Sequence, residues 1–67
     1  MKILLNNIPE IFPEENLSVS ELLIRKKFTF KLRIVKINGR LISKDRYDST
    51  IISDGDDVQM LYLMSGG

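Results

Sequence analysis

A chain of 67 residues with a formal charge of +1 leaves little room for a deep catalytic cleft and carries no field that would draw nucleic acid or an anionic membrane. Cysteine and histidine are both absent, which excludes disulfide frameworks, the usual zinc sites and the Cys–His and Ser–His nucleophile pairs. Hydrophobic residues make up 43% and charged residues 28%, the balance of an ordinary soluble domain.

Met1-Lys2-Ile3-Leu4-Leu5 reaches Asn6 too soon for a signal peptide, and no apolar run approaches the ~20 residues of a membrane span. We therefore expect a cytoplasmic protein. Lys2 to Leu5 reads as a strand closed by Asn6-Asn7, a pair that tolerates positive φ and suits a tight hairpin. Ile8 to Phe12 is the expected return strand. Pro9 demotes it to an edge, because proline donates no ladder hydrogen bond. Pro13-Glu14-Glu15-Asn16 reads as a connection.

Ser18-Val19-Ser20-Glu21 is a capping box, with Ser18 as N-cap and Glu21 at the third helical position. Leu17 and Leu22 have the spacing of a hydrophobic staple across that cap. Val19, Leu22 and Leu23 share one helix face. Arg25-Lys26-Lys27 falls in the last turn, where positive charge suits the helix dipole. Phe28 to Lys31 carries no strong pattern.

Leu32 to Asn38 reads as a strand, with Val35 and Ile37 on one side and Ile34 and Lys36 on the other. Asn38-Gly39 is a turn, Leu41-Ile42 a short strand, and Ser43 to Ser53 a loop anchored by Tyr47, Ile51 and Ile52. Asp54-Gly55-Asp56 turns the chain into a last strand, Asp57 to Leu63. The first and last strands are both highly apolar and are expected side by side at the sheet centre. The result is an α+β fold with a mixed sheet of four to five strands and one helix across one face, a β-grasp. We place the domain at residues 1–63 and a flexible tail at 64–67.

Few side chains invite chemistry. Asp54-Gly55-Asp56-Asp57 fails as a calcium loop, because Ser65 stands where the twelfth-position Glu belongs. Arg25-Lys26-Lys27, Lys31 and Arg33 form the densest basic cluster, which we read as a solvated helix end beside a polar strand face. Glu10, Glu14, Glu15 and Glu21 lack the cleft that would separate the pKa values of an acid/base pair. Leu61 and Leu63 carry more information. If Val58, Met60 and Tyr62 face the helix, alternation turns Leu61 and Leu63 outward, with Ile34 and Leu4 joining them where register allows. An outward apolar patch marks a partner surface.

The sequence closes on Leu61-Tyr62-Leu63-Met64-Ser65-Gly66-Gly67. A free α-carboxylate, with a pKa near ~3.5, is ionised at neutral pH and is a poor electrophile. Making it reactive requires a good leaving group, such as AMP from ATP, inside an enclosed nucleotide site. Glycine has no Cβ to collide with the walls of that site. Gly66-Gly67 thus forms a thin probe with a reactive tip, and the domain behind it is a handle.

The ordered set resembles ubiquitin-like β-grasp carriers, and among them most closely the ThiS family, sulfur carriers of thiamin thiazole biosynthesis. The residues that carry it are Met1-Lys2-Ile3-Leu4-Leu5-Asn6, Leu17-Ser18-Val19-Ser20-Glu21-Leu22-Leu23, Val35-Lys36-Ile37-Asn38-Gly39, Tyr47, Asp54-Gly55-Asp56-Asp57-Val58 and Gly66-Gly67. Asn7, Lys36 and Ser43 depart from the family's usual Gly, small residue and Pro. The resemblance implies that a ThiF-type adenylyltransferase uses ATP to adenylate the carboxylate of Gly67, with Gly66 giving access. A cysteine desulfurase relay then supplies sulfur, and the thiocarboxylate delivers it to thiazole synthase. Leu61, Leu63 and Met64 are the expected docking residues. On this reading the chain is a protein-bound reagent, not an enzyme. It binds no cofactor, metal, nucleic acid or membrane itself. The alternatives are the small subunit of molybdopterin synthase, a ubiquitin-like modifier that forms isopeptide bonds, and a binding module with an inert tail.

Overall fold

Two adjacent asparagines shape the first hairpin of the computed structural model, which describes residues 1–27 and 33–62. Lys2–Leu5 (β1) and Ile8–Ile11 (β2) pair antiparallel, with Leu5 opposite Ile8. Between them Asn6 and Asn7 have φ of 51° and 67°. Two successive positive φ values belong to a type I′ turn, whose twist matches the flanking strands and which Asn accepts better than other residues with a Cβ. β2 lies at the sheet edge, as Pro9 required. The Phe12 N–H donates to the Met1 carbonyl at 2.8 Å. Antiparallel alternation then turns the nitrogens of Ile11 and Pro9 outward, so Pro9 costs no ladder bond and removes a donor from the free edge.

The helix starts where its cap demands. α1 spans Val19–Arg25, and both halves of the capping box are made: Ser18 Oγ accepts from the Glu21 N–H at 3.0 Å, and Glu21 Oε1 accepts from the Ser18 N–H at 2.9 Å. Two further orphan donors of the first turn are met from a distant loop. The Val19 N–H donates to the Thr50 carbonyl and the Ser20 N–H to the Tyr47 carbonyl. Leu17 and Leu22, the staple pair, are both buried. At the other end Lys27 adopts a φ of 58°, which stops the helix.

That loop is more ordered than its sequence indicates. Asn16–Ser18 (β3) and Ile51–Ser53 (β6) pair as a small second sheet, with Leu17 opposite Ile52. A short 3-10 turn, Lys44–Arg46, precedes Tyr47. We expected a connection and a loop here. Three-residue strands show too little alternation to read, and this pairing joins segments far apart in sequence. Its role is structural: Leu17, Ile52 and Tyr47 enter the same core as the helix.

The main sheet runs β2-β1-β7-β4-β5, with Arg33–Ile37 as β4, Arg40–Ile42 as β5 and Asp57–Tyr62 as β7. β7 sits at the centre, parallel to β1 and antiparallel to β4. The Asn38-Gly39 turn between β4 and β5 is again a positive-φ pair, at 51° and 81°. The inner face presents Ile3, Leu5, Val35, Ile37, Val58 and Met60 to Val19, Leu22 and Leu23 of the helix. This is the β-grasp arrangement. Leu32 and the Phe28–Lys31 stretch lie outside the described residues.

Candidate functional site

β7 carries the candidate site because it is the last described element and directly precedes the residues that include Gly66-Gly67. Side chains along it alternate as expected: Val58 and Met60 are buried, whereas Leu61 is 49% exposed on the opposite face. Leu61 pairs directly with half-buried Ile34 on β4. Leu63, Met64, Gly66 and Gly67, and the side chain of Tyr62, lie outside the described residues.

The register corrects one expectation and adds a residue. Leu4 is exposed on the same outer face, but its partner on β7 is Asp57 and not Leu61. β1 turns away at Asn6-Asn7 before it reaches the level of Leu61, so Leu4 belongs to the far end of β7. In its place stands Leu41, 68% exposed, whose partner Lys36 is two residues along β4 from Ile34. A two-residue turn at Asn38-Gly39 fixes Lys36 opposite Leu41, so the sequence held that signal. The outer face next to the end of β7 therefore holds Leu61, Ile34 and Leu41, with Lys36 and Gln59 as its polar border.

Several of the other polar groups hold structure. Glu10 pairs with Lys26, and Glu14 with Arg25, tying β2 and its following loop to the helix end. The Arg25 guanidinium holds the Glu14 carboxyl below its ordinary pKa, chiefly by hydrogen bonding. Asp54 and Asp56 serve the turn before β7: Asp54 Oδ1 accepts from the Lys2 N–H at 2.7 Å, and Asp56 Oδ2 from the Ser53 N–H at 2.9 Å. Gly55 between them has a φ of 88°, a conformation side chains disfavour. A shallow depression of about 160 Å³ lined by Lys2, Ile3, Leu4 and Gly55 lies beside this turn, at the opposite end of β7 from Leu61. Among the described residues no group of three or more acidic side chains could hold a metal ion, and no helix is long and apolar enough to cross a membrane.

What stands out among the described residues is an apolar strip beside the end of β7, with no catalytic constellation around it. Comparison with known proteins gives this a family. The sequence profile of the ThiS family matches residues 3–67. This chain belongs to the ThiS family. ThiS chains are small carrier proteins, in keeping with the absence of histidine and cysteine from this sequence. A crystal structure of the thiamine biosynthesis protein ThiS from Geobacter metallireducens is 35% identical, with a TM-score of 0.89 and all of both chains covered. An NMR solution structure of a thiamine biosynthesis protein from the same organism is also 35% identical, with a TM-score of 0.81, covering all of this chain and 88% of that one. No curated protein sequence matches closely enough to add to this.

Proposed function

We propose that this protein is a sulfur carrier for thiamin thiazole formation and that its working group is the carboxylate of Gly67. The observation that supports the reading is the ThiS match over residues 3–67, a span that includes Gly66 and Gly67. A ThiF-type adenylyltransferase joins the carboxylate to AMP from ATP. A persulfide sulfur from a cysteine desulfurase relay displaces AMP, a thiol reductant cleaves the resulting acyl disulfide, and the thiocarboxylate so released is the donor to thiazole synthase. Gly66 and Gly67 present no Cβ to the walls of the nucleotide site.

Leu61, with Leu63 and Met64 beyond it, docks the carrier on its partners, and Ile34 and Leu41 extend that surface. The chain supplies the acyl group and a grip, and its partners supply the catalysis. The test is intact mass. With the adenylyltransferase, ATP and a sulfur source, the protein gains the mass of one oxygen-for-sulfur exchange at Gly67. Recovery of only the unmodified carboxylate would overturn the reading.

A further inference from the structure

The parallel ladder between β1 and β7 runs out before β7 does. The Leu4 N–H donates to the Asp56 carbonyl at 3.0 Å and the Asn6 N–H to the Val58 carbonyl at 2.9 Å. The next rung belongs to Met60, but the chain has already turned back at Asn6-Asn7 into β2. The Asn6 side chain fills that rung. Its Nδ2 donates to the Met60 carbonyl at 3.1 Å, and its Oδ1 accepts from the Met60 N–H at 2.8 Å. A primary amide has the same donor and acceptor as a peptide unit, so one side chain does what a further strand residue would do. Only Tyr62 of the described part of β7 lies beyond this rung on the β1 side.

We propose that Asn6 is a positioning residue for the carboxy-terminal segment: its amide completes the sheet beside Met60 and so sets the point and direction from which the reactive tail leaves the fold. The purpose assigned to it rests on the carrier reading above. From Tyr62, five residues reach at most about 17 Å to the end of the sequence. A strand held on both sides up to Met60 aims that short reach. Held by β4 alone, the same strand frays and spreads its directions, and fewer molecules enter a partner's channel at a given concentration. The turn alone does not explain Asn6, because glycine meets its φ of 51° without the amide.

The test is Asn6→Gly, which keeps the turn and removes the clamp. Hydrogen exchange at the Met60 amide should rise about fivefold relative to the Val58 amide, the effect of one lost hydrogen-bonded rung. In the adenylyltransferase-dependent formation of the thiocarboxylate, KM should rise about fivefold, with kcat within about twofold of the parent. Asn6→Asp keeps the acceptor for the Met60 N–H but sets a second oxygen against the Met60 carbonyl. It should raise KM about as much, while the Met60 amide exchanges more slowly than in Asn6→Gly because its acceptor remains; unchanged KM here overturns the proposal if Asn6→Gly fails to fold. Unchanged Met60 exchange and unchanged KM would overturn the proposal, as would an exchange increase spread evenly over all core amides. Failure of the parent protein itself to acquire sulfur would instead overturn the carrier reading, and with it the purpose assigned to the clamp.

Discussion

Both ends of β7 are bracketed by an asparagine in the left-handed conformation, yet the two brackets do different work. At the Asp57 end, Asn38 donates its N–H to the Asp57 carbonyl and accepts from the Asp57 N–H, and its side-chain amide also donates to Asp56. Asp56 in turn holds Ser53, and Asp54 holds Lys2. That end is tied into a turn, two hairpins and the N-terminal strand. At the Met60 end, among the described residues, the Asn6 side chain closes the β1 side, and the outer face there is apolar. One end of a central strand is thus tied into the domain, and the other presents an exposed apolar face.

That difference can be broken at several points. The largest effect belongs to the tail: removing Gly66 and Gly67 should abolish thiamin synthesis in cells while thermal unfolding of the purified protein stays unchanged. Continued growth without thiamin would contradict the carrier role. Leu61→Asp comes next. It should weaken binding to the adenylyltransferase tenfold or more, since burying a leucine at an interface is worth about 1.5–3 kcal/mol. Its half-exposed position predicts little loss of fold, and an unfolded variant would refute the assigned facing.

Asn38→Gly should do the opposite. It keeps a left-handed turn but removes two side-chain hydrogen bonds, costing about 1 kcal/mol in urea unfolding with KM for the partner unchanged. A raised KM without lost stability would erase the distinction between the two ends. The smallest effect lies away from both. Glu14 binds its proton less readily folded than unfolded, because Arg25 hydrogen-bonds the carboxylate. Its contribution is therefore present above the ordinary carboxylate range and is lost as pH falls through the lowered folded value. Glu14→Gln should flatten the acid limb of a stability–pH curve slightly, and an unaltered curve would show the pair to be inert.

Most of the frame was legible because short-range rules sufficed. Asn6-Asn7, Asn38-Gly39 and Asp54-Gly55-Asp56 each mark a turn through φ preference. Ser18 and Glu21 mark the helix start through reciprocal hydrogen bonds. Alternation along β7 placed Leu61 outward. Pairing between distant segments was harder. The β3–β6 sheet and the position of Leu4 opposite Asp57 depend on register that no local pattern encodes. Leu41 could have been found by carrying the Asn38-Gly39 turn one step further along β5. The clamp by Asn6 escaped notice for another reason: the residue satisfies a turn so well that its side chain's second task leaves no trace in the sequence pattern.

The central position of β7 also bears on how the chain folds. Asn6 and Met60 stand 54 residues apart, and the β1–β2 and β4–β5 hairpins join one sheet through β7, which follows both in the chain. Each hairpin can form early and locally, but neither gains a lasting neighbour until residues near the close of the sequence slot between them. Assembly of the sheet must therefore wait for β7, which becomes its keystone.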